Sequence, residues 1–105
     1  MTHSFSREDA PLQSSVQQSL QDIAEQMGEP ITLETAQQLY QEASDLLNHV
    51  DYEPITLARV AATLLVYRLQ QIEPEELEWF KGQIRSATEA EDVEELIESM
   101  GREAL

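Results

Sequence analysis

The sequence LARVAATLLVYRLQQI, at residues 57–72, decides the fold class. Apolar side chains cover nearly the whole circumference of this segment when it is wound as a helix, and only Arg59, Thr63 and Gln70 form a polar strip. A helix that is apolar on most of its surface must be surrounded by other elements. We therefore predict a central helix over about Leu57 to Gln71.

Apolar residues at helical spacing predict further helices on both sides of the central one. The expected ranges are 11–27 and 33–49, then one helix that begins at Pro74 and another that ends before Gly101. No stretch alternates apolar and polar residues in the way of a half-buried strand. The prediction is an all-α fold, a single compact bundle of four to five short helices over residues 11–105. Residues 1–10 are expected to form a flexible N-terminal arm.

Short signals mark the predicted helix ends. The five letters EPITL occur at residues 29–33 and again at residues 53–57, and each copy places a threonine before an apolar run. Thr32 and Thr56 are therefore predicted as N-caps, and Gly28 is predicted as the left-handed C-cap that ends the first helix. The alternative is a duplicated helical repeat of about 24 residues, although the match fades beyond the fifth letter.

The charge of the chain restricts its partners. Among 105 residues there are 21 acidic and 6 basic side chains, and the formal net charge is −15. Direct binding to nucleic acid depends on Lys and Arg that release phosphate counterions, and anionic membranes attract the same cations. We therefore expect neither ligand. A basic surface on another protein would instead be attracted to this chain.

The absence of cysteine from the sequence excludes disulfides, thiolate catalysis and cysteine-ligated metal sites. No apolar stretch has the length of a signal peptide core or of a membrane span. These features are typical of a cytoplasmic protein, which is the location we expect.

Motifs for catalysis and for metal binding are also missing. The sequence contains no Gly-x-Ser-x-Gly, no glycine-rich phosphate loop and no calcium loop. Glu42, Asp45 and His49 share one side of the second predicted helix, but that side is expected to face water rather than to hold a metal ion. We assign no catalytic residue, no cofactor and no metal ligand, and we expect a protein that is not an enzyme.

Two residues are out of phase with their helices. Arg68 falls on a buried face of the central helix, where an ion pair with a carboxylate is expected because an unpaired buried cation is costly. The alternative is that its head group reaches solvent at the helix end.

Trp79 lies about 120° from the apolar face of its helix at 100° per residue. It either covers a neighbouring helix or is an exposed aromatic within an acidic patch.

More than half of the acidic residues lie from Glu73 onward. They form either a solvated helix surface or an anionic docking face. Under the second interpretation, tryptophan supplies apolar affinity and the charge selects the partner. The expected partner-binding residues are Trp79, Glu75, Glu76, Glu78, Glu91, Glu94, Glu95 and Glu98.

The composition and the helical pattern together favour a small acidic protein-binding module, such as an adaptor, a small chaperone or a regulator, that docks a partner protein through its helical faces. The partner is expected to carry a basic or a mixed apolar and basic surface. The alternative function is an acidic nucleic-acid mimic or inhibitor that blocks the basic DNA- or RNA-binding surface of its target. The narrow apolar stripe of the first helix also allows a homodimer.

Overall fold

A computed structural model gives the backbone of residues 3–104 and the side chains of residues 12–100. These described residues form five α-helices and no strand. The helices are α1 (His3–Gln26), α2 (Leu33–Leu46), α3 (Pro54–Leu69), α4 (Pro74–Ser86) and α5 (Ala90–Ala104). The radius of gyration is 13.7 Å, close to the value of about 13 Å for a compact domain of 100 residues. The predicted all-α bundle is confirmed.

The central position of α3 is also confirmed. It packs against α1 and α2 on one side and against α5 on another, whereas α4 contacts α5 and α2. Its core face consists of Leu57, Val60, Ala61, Leu64 and Leu65, all of which are buried. Each large aliphatic side chain that is fully buried in this way contributes about 1.5–3 kcal/mol through its removal from water. The face explains why so apolar a segment folds as a helix at the centre of the bundle.

The two EPITL copies begin their helices differently. In the first copy Thr32 is the N-cap of α2, and its side chain accepts a hydrogen bond of 3.1 Å from the backbone N–H of Thr35. In the second copy α3 begins at Pro54, after Glu53 as N-cap, and Thr56 is buried within the first turn. The prediction of Thr56 as an N-cap is therefore wrong. Proline suits the first helical position because its φ is already helical and its missing N–H is not needed there.

The end of α1 follows the prediction. Gly28 has a φ of 82°, a conformation that costs glycine little because it has no Cβ. The N–H of Glu29 donates to the carbonyl of Ala24 and that of Gly28 donates to Glu25, both at 3.0 Å. These two hydrogen bonds form a Schellman motif, which satisfies the carbonyls that a helix end leaves free.

Other helix bounds differ from the prediction. α2 ends at Leu46, and α5 passes through Gly101 to Ala104, so the predicted C-cap at Gly101 is wrong. A glycine inside a helix lowers its stability by about 1 kcal/mol relative to alanine but does not force an end. The backbone of α1 is helical from His3, although Pro11 has no N–H for the helical ladder. The side chains of residues 1–11 lie outside the described part, and the flexible arm stays a prediction.

Polar contacts between described side chains join the helices. The carboxylate of Glu42 on α2 lies 2.7 Å from the ammonium group of Lys81 on α4. His49, which follows α2, has its Nε2 atom 3.0 Å from the carbonyl oxygen of Ile84 on α4, and since a carbonyl only accepts, the ring nitrogen donates. Arg59 on α3 pairs with a residue of α5, as described below. Together these links connect elements that are far apart in the sequence.

Arg68 does not form the expected ion pair. It is exposed, and no carboxylate among the described residues lies within salt-bridge distance of it. The residue belongs to the last turn of α3, where a long side chain can reach solvent beyond the covering helices. The position of Arg68 agrees with the alternative prediction, in which its head group reaches water.

Candidate functional site

An open groove lies between the second half of α3, the first half of α4 and the second half of α5. Its volume is about 730 Å³, within the range of roughly 300–1,000 Å³ that is common for ligand sites. Most of its lining is apolar or aromatic, and none of its lining residues is Lys or Arg. The groove is lined by Ala62, Thr63, Val66, Tyr67, Gln70, Ile72, Glu76, Trp79, Ile97 and Met100.

A left-handed residue after α3 brings Ile72 into the groove. Gln71 has a φ of 53°, which costs a residue with a Cβ roughly 1–2 kcal/mol. The N–H of Ile72 donates to the carbonyl of Tyr67 at 3.1 Å, and that of Gln71 donates to Arg68 at 3.3 Å. This is the same Schellman motif that ends α1, but with glutamine where α1 has glycine. In such a motif the residue after the turn packs back against the helix, and here that residue is Ile72.

Tyr67 joins the groove to the core. Its ring lies 5.4 Å from the ring of Phe80 on α4, with an angle of 39° between the planes. Burial raises the pKa of Tyr67 above its ordinary value, and the negative charge of Glu76 raises the pKa further. The phenol is therefore neutral at pH 7. It gives the groove wall an uncharged polar group beside a carboxylate.

Trp79 forms the rim of the groove. Its neighbour Phe80 is fully buried and so is Ile84, one turn later, which places the core side of α4 on those two residues. Trp79 is 52% exposed and lines the groove. Tryptophan is among the residue types most enriched at binding hot spots.

A second cavity, which we call the acidic cavity, lies between the first turns of α3 and α5. Its volume is about 510 Å³. Five carboxylates and one guanidinium group line it, together with four uncharged residues. The lining residues are Asp51, Glu53, Ile55, Thr56, Arg59, Thr88, Glu89, Ala90, Glu91 and Glu94.

An ion pair stands where the two cavities meet. Nη1 of Arg59 lies 2.6 Å from Oε1 of Glu94, and the hydroxyl of Thr63 donates to the backbone carbonyl of Arg59 at 2.8 Å. Glu94 Oε2 is buried and has no hydrogen-bond partner among the described residues. Leaving a buried carboxylate oxygen without a donor is costly, so the ion pair with Arg59 is what holds this side chain in the wall of the acidic cavity.

The two cavities follow one another along the same pair of helices. On α3 the lining residues run from Ile55 at the acidic cavity to Gln70 at the groove, and on α5 they run from Ala90 to Met100 in the same order. The helices α3 and α5 contact each other. They therefore lie side by side in the same direction, and we call the surface between them the α3–α5 seam.

The structure separates the predicted partner-binding residues into three groups. Trp79 and Glu76 line the groove, and Glu91 and Glu94 line the acidic cavity. The remaining four line neither cavity and are exposed; they are Glu75, Glu78, Glu95 and Glu98. The tryptophan is thus not surrounded by all of the predicted carboxylates, since those of α5 divide between the seam and the solvent side.

The carboxylates and the histidine of α2 have separate contacts. Glu42 pairs with Lys81, Asp45 accepts a hydrogen bond of 3.0 Å from Gln41, and His49 donates to Ile84. Over residues 12–100 no group of three or more His, Asp or Glu side chains is arranged to hold a metal ion.

Sequence reasoning missed several residues of the groove. The sequence alone assigns no role to Tyr67, Ile72, Ile97 or Met100, because each is one apolar or aromatic side chain among several at helical spacing. A signal was present for α3, because its apolar surface extends around more of the helix than its neighbours cover. No comparable signal distinguishes Ile97 from the buried Val93 on the same stripe of α5.

Comparison with protein-family models, with curated proteins and with solved structures finds no match to this chain. Among the described helices, none combines the length and the apolar character that crossing a membrane requires. The function must therefore be argued from the chemistry of the groove and the acidic cavity.

Proposed function

We propose that this protein is a non-enzymatic binding module, acting as an adaptor, small chaperone or regulator, that docks a partner protein in the groove. The observation that carries the proposal is Trp79, half exposed at the edge of a depression lined by Tyr67, Ile97 and Met100. Tryptophan and tyrosine dominate interface energies because they bury a large area with few rotatable bonds. The lining is mostly apolar and places no histidine beside the hydroxyl groups of Thr63 and Tyr67, which supports binding rather than catalysis.

The acidic nucleic-acid mimic receives less support. A mimic depends on many carboxylates displayed on one surface, and an apolar groove would contribute nothing to its affinity. Here four exposed acids of α4 and α5, Glu75, Glu78, Glu95 and Glu98, line neither cavity, and the larger of the two cavities is mostly apolar. The absence of cysteine from the sequence supports a cytoplasmic location, because the fold does not depend on an oxidising compartment.

The decisive test removes the tryptophan and measures capture of the partner. Partners would be captured from native lysate with the full chain, and the affinity of the main captured protein would then be measured. Trp79→Ala should weaken that affinity by about tenfold or more, as expected for a hot-spot residue worth at least about 1.4 kcal/mol. Leu33→Ala is the matched control, because Leu33 is 51% exposed and belongs to α2, which does not line the groove.

Thermal unfolding of both variants separates binding from folding. We expect Trp79→Ala to melt within a few degrees of the parent, since half of the side chain is already in water. If both variants retain the partner equally, the groove is not the docking site and the proposal is wrong. If high salt abolishes capture but Trp79→Ala does not affect it, the protein is better explained as a nucleic-acid mimic. Salt screens the attraction between exposed charges and leaves apolar contacts intact.

A further inference from the structure

The walls of the groove determine what kind of polypeptide could lie in it. Every lining residue belongs to a helix or to the short connection between α3 and α4, and the described residues contain no strand. An extended peptide would therefore find no sheet edge to pair with, and its backbone groups would lose water without gaining partners. A helix satisfies its own backbone hydrogen bonds and presents only side chains.

The charge of the α3–α5 seam determines which kind of helix could bind there. Five carboxylates and a single guanidinium line the acidic cavity, and Glu76 is the only charged residue that lines the groove. The N-termini of α3 and α5 add partial positive charge to the acidic cavity, but only about half a unit each. The carboxylates therefore prevail, and the cavity attracts Lys or Arg.

The dimensions of the seam determine the length of the occupant. From Ile55 to Gln70 the α3 side spans about 15 residues, or roughly 22 Å at 1.5 Å per residue. The groove covers the part from Ala62 to Gln70, roughly 12 Å, which equals a little over two helical turns. Two turns present apolar side chains at positions i, i+3 or i+4, and i+7. The remaining part of the occupant would then lie over the acidic cavity.

A second copy of this chain fits the seam less well. Each copy carries a net charge of −15, and a like-charged copy would bring further carboxylates to a cavity that already holds five. Such juxtaposition opposes association. Charge complementarity selects a basic partner instead.

We propose that the groove and the acidic cavity together bind one amphipathic helix of the partner, about 15 residues long, that is apolar in one half and basic in the other. Its apolar side chains contact Trp79, Tyr67 and Ile97, and its Lys or Arg side chains lie over the exposed carboxylates of Glu89 and Glu91. This inference rests on the proposed function and adds the chemistry, the length and the polarity of the docked segment.

Synthetic peptides can test the inference with the full chain. The probe is a capped peptide of about 16 residues that has leucine on one face of one half and lysine in the other half, made in both orders because the direction of binding is free. Trp79 is the only tryptophan in the sequence, so a peptide without tryptophan leaves its fluorescence as a reporter of the groove. We expect a blue shift on binding together with a gain of helical circular dichroism.

Two control peptides define the specificity. One has the same composition with the leucines spread around the helix, and the other has glutamate in place of lysine. In the better order, the bipartite probe should bind about tenfold or more tighter than either control, a ratio that corresponds to about 1.4 kcal/mol. Equal binding of the probe and the spread-leucine peptide would overturn the inference.

Matched charge variants test whether the basic half of the bound peptide lies over the acidic cavity. Glu89→Gln with Glu91→Gln removes two charges from the acidic cavity, whereas Glu95→Gln with Glu98→Gln removes two charges from α5 outside both cavities. We expect the first double variant to bind the probe with an affinity about tenfold lower than that of the parent, and the second with an affinity less than about twofold lower. Charges in contact with the peptide contribute more than distant charges that salt screens. Equal losses would mean that only the overall charge acts, which would overturn the bipartite assignment.

The outcomes for the two proposals differ. If Trp79→Ala loses its captured partner but neither order of the probe binds, the chain is a docking module whose occupant is not a basic helix. If capture is indifferent to Trp79, the proposed function fails whatever the peptides do. A dimer of this chain that Trp79→Ala dissociates would identify a second copy as the occupant and would overturn the inference.

Discussion

The two faces of α3 differ in composition and in surroundings, because the polar strip of Arg59, Thr63 and Gln70 lies on only one of them. The core face, defined above by Leu57, Val60, Ala61, Leu64 and Leu65, is closed by the packed helices. The seam face, which consists of Arg59, Ala62, Thr63, Val66 and Gln70, lines the two cavities and is covered only in part by α4 and α5. Alanine and valine occur on both faces. An apolar residue on this helix is therefore evidence of burial only when the neighbouring helices reach it.

The difference between the faces suggests a division of roles. The core face supplies the folding energy, since its side chains leave water when the chain folds. The seam face retains apolar surface that folding does not use, and a partner could remove that surface from water. Substitutions that are equal in chemistry should then have unequal effects on stability at the two faces.

The largest expected effect compares an aspartate placed on each face. Leu64→Asp introduces a charge at a side chain that is buried, and we expect a loss of about 4 kcal/mol or more, comparable to the whole stability of a small domain. Val66→Asp introduces the same charge at a half-buried side chain on the open groove and should lower stability by only about 1 kcal/mol. Thermal unfolding followed by circular dichroism would measure both. A Leu64→Asp variant that melts within a few degrees of the parent would contradict the assignment of the core face.

A smaller effect is expected from exchanging the residues of the two Schellman motifs. Gln71→Gly relieves the left-handed conformation at the end of α3 and should stabilise the protein by about 0.5–1 kcal/mol. Gly28→Gln imposes the same conformation on a side chain at the end of α1 and should destabilise it by a similar amount of about 1 kcal/mol. A Cβ added at Gly28 would meet nothing within 4 Å, so the backbone alone would be responsible. Chemical denaturation of both variants would decide, and changes of the same sign would contradict the strain at Gln71.

The smallest effect concerns Tyr67, where the core meets the groove. Its pKa is raised above the ordinary value of 10.0 by burial and by Glu76. A raised pKa means that folding favours the neutral phenol, so this contribution to stability is complete below pH 10 and is lost as the pH rises through the pKa of the folded state. Glu76→Gln should lower that pKa, and absorbance at 295 nm would follow the titration with Tyr67→Phe as the blank. An unchanged titration would show that the Glu76 carboxylate does not act on the phenol.

Much of the fold could be predicted because it depends on local rules. The apolar circumference of α3 requires surrounding helices, Gly28 suits a left-handed C-cap, and Thr32 is an N-cap. The second EPITL copy could not be assigned in the same way. Thr56 lies in the same five-letter sequence as Thr32, but it is buried within the first turn of a helix that begins at Pro54. Tertiary contacts thus decide between two starts that the local signal allows equally.

The site was predictable in part. The phase of Trp79 and the charge around Glu76 and Glu94 indicated residues that line the two cavities. The grouping of the carboxylates could not be predicted, because it depends on which side of α5 faces α3. His49 was expected to face water only, and its bond to the carbonyl of Ile84 requires knowledge of where α4 ends in space. Long-range geometry of this kind leaves no periodic signal in the sequence.

The links between α2 and α4 have a mechanical consequence for the groove. The Glu42–Lys81 pair and the His49–Ile84 hydrogen bond brace α4 at two points against a helix of the core. The opposite wall, on α5, is connected to α3 by one described ion pair, Arg59–Glu94, which lies at the far end of the groove from Met100. The two walls of the groove are therefore attached to the core in different ways. The α4 wall, which carries Trp79, is tied to α2 by polar contacts, whereas the α5 wall, which carries Ile97 and Met100, rests on apolar packing against the core and on that ion pair.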